Sequence, residues 1–260
     1  MFCASAQRTA DNRLPETRYS RRAVLGSLAG MGFAAALTPC IARARTAGPW
    51  QPDRHGALII VDVQNCFVAG GSLPVTHGED VVPLINRLAT VFSTVVATQD
   101  WHTVGHVSFA ASHAGMKPFD SIELSYGRQV LWPDHCIMGT EDAQLVPGLD
   151  AARVQLVIRK GFHQELDSYS AFREADHRTS TGLAGYLRER QVRRVFVCGL
   201  ATDFCVAWTA LDARKEGFET AVIEDACRGI DLNGSLDAAW RSMTEAGVHR
   251  IRSTDVGVFS

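Results

Sequence analysis

The residues around Cys205 have the types and spacing expected of a nucleophile site. A β-branched run at 194–198 is followed by Gly199–Val206 and then by a helical pattern over 206–211. This order predicts that Cys205 lies in the first turn of a helix, directly after a buried strand. In that position unpaired backbone N–H groups and the helix dipole favour a thiolate and can stabilise an oxyanion on a substrate carbonyl. The sequence therefore predicts a nucleophilic cysteine.

Two further ionisable residues fall at the ends of predicted strands. Asp62 ends the first strand and Lys160 follows the third. Because the carboxyl ends of parallel strands share one edge, we expect Asp62, Lys160 and Cys205 to converge. The carboxylate would take the thiol proton, and the ammonium would orient the carboxylate and stabilise a thiolate. Each residue alone has an ordinary explanation, as a cap, a solvated charge or a small core residue, but together they predict a catalytic triad.

A second constellation has the residue types of a metal site. Asp100 and His102 lie two apart just past the second strand, so their side chains share a face, and His106 and His135 follow. One carboxylate and two imidazoles leave coordination positions open, which suits Zn²⁺, Fe²⁺ or Mn²⁺. Three other loop histidines are interpreted as exposed side chains: His113, His163 and His177.

Aromatic residues flank the same inferred edge. Phe67, Trp132 and Tyr169 are placed to form a flat slot for a ring. The alternative interpretation is ordinary core or loop packing.

The elements that position these residues alternate between apolar strands and amphipathic helices. This alternation predicts an α/β fold with a parallel sheet covered by helices on both faces and a site at the carboxyl ends of the strands. The long connection 101–150 is rich in His, Gly, Pro and aromatic residues, which predicts a functional insertion over the site. The predicted strands are 57–63, 94–98, 155–158, 194–198, 219–223 and 248–251, and the predicted helices are 79–92, 180–190, the segment after Cys205, and 235–246.

The first 44 residues read as a removable twin-arginine signal peptide. Ser20–Leu25 contains the paired arginines, an apolar run of about 15 residues follows over 23–37, and Ala42–Ala44 supplies small residues for cleavage after Ala44. The apolar run is shorter than the ~20 residues of a membrane-spanning helix, so we expect no stable anchor after cleavage. The sequence predicts export through the twin-arginine machinery to the periplasm.

Charge and cysteine content limit the function of the mature domain, 45–260. Residues 1–44 hold six basic and two acidic residues, which leaves 20 basic against 26 acidic residues, a formal charge of −6. A mildly acidic domain without runs of basic residues is not expected to bind nucleic acid, because such binding depends on basic side chains that contact phosphates. Five cysteines remain without C-x-x-C spacing, which is not the pattern of a disulfide framework. The oligomeric state is left open.

Six motifs occur in one order over about residues 56–251, and together they resemble the nicotinamidases (pyrazinamidases) of the isochorismatase-like cysteine hydrolases. The resemblance implies a three-layer Rossmann-like fold with a mainly parallel sheet of about six strands. The motifs are Val61-Asp62-Val63-Gln64-Asn65-x-Phe67, Thr98-Gln99-Asp100-Trp101-His102, Trp132-Pro133-Asp134-His135-Cys136, Arg159-Lys160-Gly161, Asp167-Ser168-Tyr169-Ser170-Ala171-Phe172 and Gly199-Leu200-Ala201-Thr202-Asp203-x-Cys205-Val206.

The resemblance also implies roles for individual residues. It assigns the triad to Asp62, Lys160 and Cys205. It assigns one divalent metal ion, zinc before iron or manganese, to three ligands, with a fourth histidine as a further ligand or an outer partner. It further implies a cis peptide between Ala201 and Thr202. The implied metal ligands are Asp100, His102 and His135, with His106 as the fourth histidine; the implied oxyanion donors are the N–H groups of Thr202 and Cys205; the implied substrate contacts are Phe67, Trp132, Tyr169 and Ala201.

The implied reaction converts nicotinamide to nicotinate and ammonia through a thioester, and extends to pyrazinamide. The ring would stack between Phe67 and Trp132 with its pyridine nitrogen on the metal, above Cys205. One alternative is a related hydrolase of a carbamoyl or ureido compound, which would need no metal to hold a ring nitrogen. Another is a non-catalytic periplasmic protein that binds metal or nicotinamide, which would have no need of the triad.

Two features depart from the usual pattern of this family. Cys66 replaces the aspartate that usually ends the first motif. One hypothesis is that Cys66 pairs with Cys136 or another cysteine in an oxidising compartment and acts as a redox brake. Members of this family usually recycle NAD inside the cell, whereas the predicted export signal indicates salvage of nicotinamide from outside the cell.

Overall fold

A computed structural model of the chain describes residues 50–258. The signal peptide predicted for 1–44 and its cleavage point lie outside the described residues. Among residues 50–258, no helix combines the length and the apolar character needed to cross a membrane.

A six-stranded sheet, in which every neighbouring pair is parallel, forms the centre of this region. Every residue of its first two strands is buried, as expected when both faces of a sheet are covered. The fold class predicted from the sequence is therefore confirmed. The sheet strands are β1 (Gly56–Val61), β2 (Thr94–Asp100), β5 (Leu156–Lys160), β6 (Arg194–Leu200), β7 (Glu219–Arg228) and β8 (His249–Ile251), and a separate hairpin contains β3 (Ser121–Leu124) and β4 (Gly127–Val130).

The strand order explains where a site can form. The order across the sheet is β5-β2-β1-β6-β7-β8, so the chain runs outward from β1 through β2 to β5 and then returns to the other side of β1 at β6. Such a reversal opens a crevice beyond the carboxyl ends of the two central strands. At this point β6 approaches β1 closely, because a Cβ on Gly199, where φ is +113°, would lie 2.1 Å from the carbonyl oxygen of Val61.

Within residues 50–258, four α-helices accompany the sheet: α1 (Val82–Ala89), α2 (Leu183–Glu189), α3 (Ala207–Lys215) and α4 (Ser235–Glu245). The helix predicted for 79–92 is shorter than expected at both ends. Its first residues form the 3₁₀ turn Gly78–Val81, and Pro83 occupies the first turn of α1, where the missing N–H is not needed.

The insertion over 101–150 contains structure that the sequence did not predict. The antiparallel hairpin β3–β4 lies within it and is mostly exposed or half-buried. Its base is closed by hydrogen bonds from the N–H of Phe119 to the carbonyl of Leu131 (2.6 Å) and from the N–H of Leu131 to the carbonyl of Asp120 (2.8 Å). With only four residues in each strand, the hairpin carries too short an alternating pattern to be recognised in the sequence.

Candidate active site

The ends of four adjacent strands bring the predicted triad to one place. Asp62 follows β1, Asp100 is the last residue of β2, Lys160 is the last residue of β5, and Cys205 follows β6. Asp62 has a φ of +48°, a left-handed turn that ends the strand pairing just beyond β1. The predicted convergence of Asp62, Lys160 and Cys205 is therefore present in the structure.

Lys160 is fully buried and contacts each anionic or nucleophilic group around it. Its Nζ lies 2.9 Å from Oδ2 of Asp62, donates to Sγ of Cys205 at 3.4 Å, and also donates to a carboxylate oxygen of Asp100. Burial disfavours the charged ammonium, but the carboxylates of Asp100 and Asp62 outweigh it and raise the pKa of Lys160 well above its ordinary value. Lys160 is thus a permanent cation that fixes two carboxylates.

The Asp62 carboxylate is prepared to accept a proton. Oδ1 accepts a hydrogen bond from the Thr98 hydroxyl at 2.5 Å, and Oδ2 lies 2.9 Å from the Lys160 ammonium. Burial raises the pKa of Asp62 to about 6, against the opposing effect of Lys160. A carboxylate of this pKa suits proton transfer near neutral pH.

Cys205 differs from its predicted setting in two respects. It lies in a π-helical turn, Thr202–Val206, that precedes α3. Burial raises the pKa of the Cys205 thiol well above its ordinary value, and the charge of Lys160 only partly opposes this effect. Burial thus opposes the thiolate that the helix position was expected to favour, so attack would require proton transfer from the thiol to Asp62.

The predicted cis peptide was also misplaced by one bond. The structure has it between Leu200 and Ala201 instead of between Ala201 and Thr202. The sheet pairing of β6 continues to Leu200, which pairs with Arg228, two residues beyond the predicted end of the strand. The turn therefore begins at Ala201, which lines the cavity described below.

The predicted metal ligands also converge. Oδ2 of Asp100 lies 3.7 Å from Nε2 of His102 and 3.8 Å from Nε2 of His135, and all three side chains are buried. Nδ1 of each histidine lies 2.8 Å from a backbone carbonyl, of Gly161 for His102 and of Pro133 for His135. Since a carbonyl only accepts, both histidines carry the proton on Nδ1 and present the Nε2 lone pair to the same point. A Cβ on Gly161 would lie 2.6 Å from the His102 ring, so this position requires glycine.

The charges at this point suit a cation. Burial and the charge of a protonated His102 lower the pKa of His135 to about 4, which keeps its imidazole neutral. Burial opposes protonation of His102, but the Asp100 carboxylate outweighs it and raises the pKa of His102, so a metal bound here would displace a proton from that imidazole. Burial opposes ionisation of Asp100, but Lys160 and His102 hold the pKa of this carboxyl below its ordinary range. An ionised carboxylate and neutral imidazole are the forms that bind a divalent metal, and three protein ligands leave positions open. The residues therefore fit the metal that the sequence predicted.

His106 lies behind this set of ligands. Its ring centroid is 4.4 Å from that of His102. Its Nδ1 lies 2.8 Å from the Ser108 hydroxyl, and its Nε2 lies 3.1 Å from the carbonyl of His163. With both nitrogens engaged by protein groups, His106 has the position of an outer partner.

One narrow, partly open cavity joins the nucleophile to the metal ligands. The Trp132 indole donates to the Tyr169 hydroxyl at 3.0 Å, which fixes the two rings relative to each other. The lining includes Asp100, His135 and Cys205, the predicted Phe67, Trp132, Tyr169 and Ala201, and three residues not predicted, Leu73, Phe204 and Ile230.

Of the three missed residues, only Phe204 had a signal in the sequence. It is adjacent to Cys205 in the motif, and its ring packs edge-on against Trp132 with centroids 4.9 Å apart. Leu73 and Ile230 come from irregular segments distant in sequence. Apolar residues in such segments carry no periodic pattern.

Cys66 and Cys136 form a disulfide, one of the pairings considered from the sequence. Both residues are fully buried. Within residues 50–258 the free cysteines are Cys198, Cys205 and Cys227.

Comparison with known proteins agrees with this geometry. Residues 56–255 match the model of the isochorismatase domain family. The nicotinamidase of Acinetobacter baylyi is 58% identical over 200 residues, which cover 77% of this chain and 94% of that protein. The solved structure of the nicotinamidase and pyrazinamidase of Acinetobacter baumanii is 61% identical, with a TM-score of 0.78, and the match covers 78% of this chain and 99% of that one.

Two further solved structures are similar and contain ligands. PnC1 from L. infantum, in complex with nicotinate, is 42% identical with a TM-score of 0.69 over 79% of this chain and 96% of that one. The pyrazinamidase of Pyrococcus horikoshii, in complex with zinc, is 34% identical with a TM-score of 0.62 over 76% of this chain and 99% of that one. Fold, motifs and relatives agree: the chain belongs to the isochorismatase domain family, in the branch that contains the nicotinamidases and pyrazinamidases.

Proposed function

We propose that this chain is a metal-dependent cysteine amidohydrolase that converts nicotinamide to nicotinate and ammonia, and that also accepts pyrazinamide. The observation that carries the proposal is that one cavity is lined by Cys205, by the proposed metal ligands Asp100 and His135 and by aromatic rings. A flat heteroaromatic amide has the shape and polarity for such a cavity. Relatives named nicotinamidase at 58% and 41% identity support the same activity.

The first half of the reaction forms a thioester. Asp62 takes the proton from the Cys205 thiol, and the sulfur attacks the carboxamide carbon. The backbone N–H groups of Thr202 and Cys205 are the proposed donors to the oxyanion. The carbon–nitrogen bond then breaks as Asp62 returns the proton to the leaving nitrogen, which departs as ammonia. Lys160, 2.9 Å from Asp62 and 3.4 Å from Cys205, stabilises negative charge on either partner.

The second half releases the acid. Asp62 removes a proton from water, and the resulting hydroxide attacks the thioester carbon. The carbon–sulfur bond breaks, the sulfur regains a proton from Asp62, and nicotinic acid leaves and releases its proton to solvent as nicotinate. A carboxyl with a pKa of about 6 can serve as base and acid in turn.

Asp100, His102 and His135 would hold the metal, with His106 as an outer partner. A bound divalent ion would supply a Lewis acid that fixes the pyridine nitrogen of the substrate. One carboxylate and two imidazoles suit zinc, iron(II) or manganese(II), and the zinc complex of the Pyrococcus horikoshii relative favours zinc. Phe67 and Trp132 would stack on the ring, with Tyr169 and Ala201 completing the wall.

The direct test supplies nicotinamide to the purified full chain and measures ammonia and nicotinate together. We expect equal amounts of the two products. Added hydroxylamine should divert part of the acid to the hydroxamate, because it competes with water for the thioester. Parallel assays with ureido and carbamoyl compounds test the alternative hydrolase. Turnover of those compounds without turnover of nicotinamide would overturn the proposal.

We also propose that the chain is exported. The basis is the twin-arginine pattern at Ser20–Leu25 and the predicted cleavage after Ala44, which would leave 45–260 as the mature enzyme. N-terminal sequencing of the protein from a periplasmic fraction should begin at Arg45. Recovery in the cytosol with an intact Met1 would contradict the proposal.

A further inference from the structure

Cys136 is at the centre of the loop that carries the metal ligands. It directly follows His135, its carbonyl accepts the N–H of His102 at 3.0 Å, and its own N–H donates to the Asp142 carboxylate at 3.0 Å. Its φ is +45°, a left-handed conformation that is disfavoured for a residue with a side chain. The backbone of this one residue therefore sets the positions of two of the three proposed ligands.

The other half of the disulfide comes from a segment that positions the third ligand. Cys66 lies in the 3₁₀ turn Asn65–Phe67, directly after Gln64. The Gln64 amide donates to the carbonyl of Asp100 at 2.9 Å and accepts the N–H of Asp100 at 2.8 Å. Phe67, on the other side of Cys66, lines the cavity. The bond between Cys66 and Cys136 thus joins the segment that holds Asp100 to the loop that carries His135.

The disulfide spans 70 residues of sequence, and both of its ends are fully buried. Hydrogen bonds alone also connect these segments, such as that from the N–H of Cys66 to the carbonyl of Asp142 at 2.8 Å. The disulfide adds a covalent cross-link between them. Metal affinity is sensitive to such supports, because partners outside the ligand set commonly change it by 10–100-fold.

We propose that the Cys66–Cys136 disulfide is a positioning element of the metal site, which holds His135 and His102 in register with Asp100, and that its reduction weakens metal binding. This inference rests on the metal site of the proposed function. Reduction by a small dithiol breaks the sulfur–sulfur bond: two electrons and two protons pass to Cys66 and Cys136, and the dithiol becomes its own disulfide.

The experiment compares zinc affinity of the metal-free full chain in three forms: oxidised, reduced with dithiothreitol, and carrying Cys66→Ser with Cys136→Ser. A non-reducing peptide map first verifies that the two cysteine-containing peptides are linked. The reductant is then removed without oxygen, and affinity is measured by competition with a chromogenic chelator. The double variant lacks the disulfide and also lacks the thiols that reduction would create at Cys66 and Cys136. It therefore shows the effect of losing the bond without any zinc binding by those thiols. We expect zinc affinity about 10–100-fold lower in both altered forms, and recovery when the reduced protein is reoxidised.

Leu187→Ala is the matched control for general loss of stability. Leu187 is fully buried near the end of α2, beside the amino ends of the strands and so at the opposite edge of the sheet. It should lower the unfolding temperature and leave zinc affinity unchanged. Equal zinc affinity in the oxidised, reduced and double-serine forms would overturn the inference and leave the metal site standing. Higher affinity or activity on reduction would instead identify a redox brake. Absence of zinc binding in every form would remove the metal site and this inference together.

Discussion

The two sides of the cavity are built in different ways. The triad side stands on the ends of paired strands: Asp62, Lys160 and Cys205 are each within five residues of a strand of the same sheet. On the metal and aromatic side only Asp100 ends a strand, whereas His102, Trp132 and His135 lie in the insertion over 101–150. Pairing between strands fixes the triad side. Hydrogen bonds within loops, together with one disulfide, fix the metal and aromatic side. The difference indicates that the sheet positions the proposed catalytic residues, whereas the insertion positions the residues proposed to bind the substrate.

Lys160 connects the two sides. Its ammonium contacts Asp62 on the triad side and Asp100 on the metal side. The charge state of each side therefore affects the other. Variants that damage one side and spare the other are the way to separate them.

The largest expected effect comes from the triad side. Cys205→Ala should lower kcat by about 10⁴-fold or more, because no other group can form the thioester. Metal content and unfolding temperature should stay close to wild type. Cys198→Ala is the control, since Cys198 is also a buried free cysteine but lies within β6. It should keep its activity. Retained turnover in the Cys205 variant would show that the nucleophile lies elsewhere.

Substitution of a proposed metal ligand should lower the reaction rate less than Cys205→Ala does, but it should also lower the amount of bound metal. His135→Ala removes one of three proposed ligands and should lower kcat/KM by about 10²–10³-fold, with loss of bound metal. His113→Ala is the comparison, because His113 lies in the same insertion and its ring Nε2 lies 2.7 Å from the Val107 carbonyl. Metal analysis and steady-state kinetics on both variants check this. Full metal content in the His135 variant would remove that residue from the ligand set.

The pH profile should report the triad side. Asp62, with a pKa raised to about 6, must be ionised to accept the thiol proton. Activity should therefore be present above pH 6 and fall about tenfold per unit as the pH drops below it. Metal content is measured on the same samples, since loss of metal would produce a similar fall. An acid limb near pH 4 with metal retained would show that burial does not raise the Asp62 pKa.

The smallest expected effect concerns the aromatic wall. Phe204→Ala removes a ring that packs against Trp132 and Tyr169, with centroid distances of 4.9 and 5.8 Å. We expect KM for nicotinamide to rise about tenfold with kcat within a few-fold of wild type, because the ring contacts substrate without taking part in bond changes. A loss of kcat as large as the rise in KM would show instead that Phe204 helps to position Cys205.

The sequence predicted the triad side well because strands carry a strong signal. Buried parallel strands are continuous apolar runs, so the polar residue that ends each run is easily identified, and parallel pairing then dictates convergence. The sequence could not predict how desolvation and nearby charges together set the pKa values of the residues at the ends of the strands. The pKa of Cys205 is raised by burial within the whole fold, which no local pattern encodes.

The metal side was predicted only as residue types and spacing. The positions of His102 and His135 depend on backbone carbonyls of Gly161 and Pro133, contacts made by irregular segments. Leu73 and Ile230 reach the cavity from loops without periodicity. The pairing of Cys66 with Cys136 was one of several open to the sequence, because connectivity follows from the folded positions of the thiols.

The most direct test asks whether the two sides form one site. The full chain is depleted of metal with a chelator, its metal content is measured, and ammonia release from nicotinamide is followed before and after zinc, manganese or iron(II) is restored. We predict that depletion lowers the rate at least about a hundredfold and that one of these ions restores it, with Cys205 reactive towards alkylation throughout. Full ammonia release from protein shown to be metal-free would contradict the claim that the metal side takes part in the reaction.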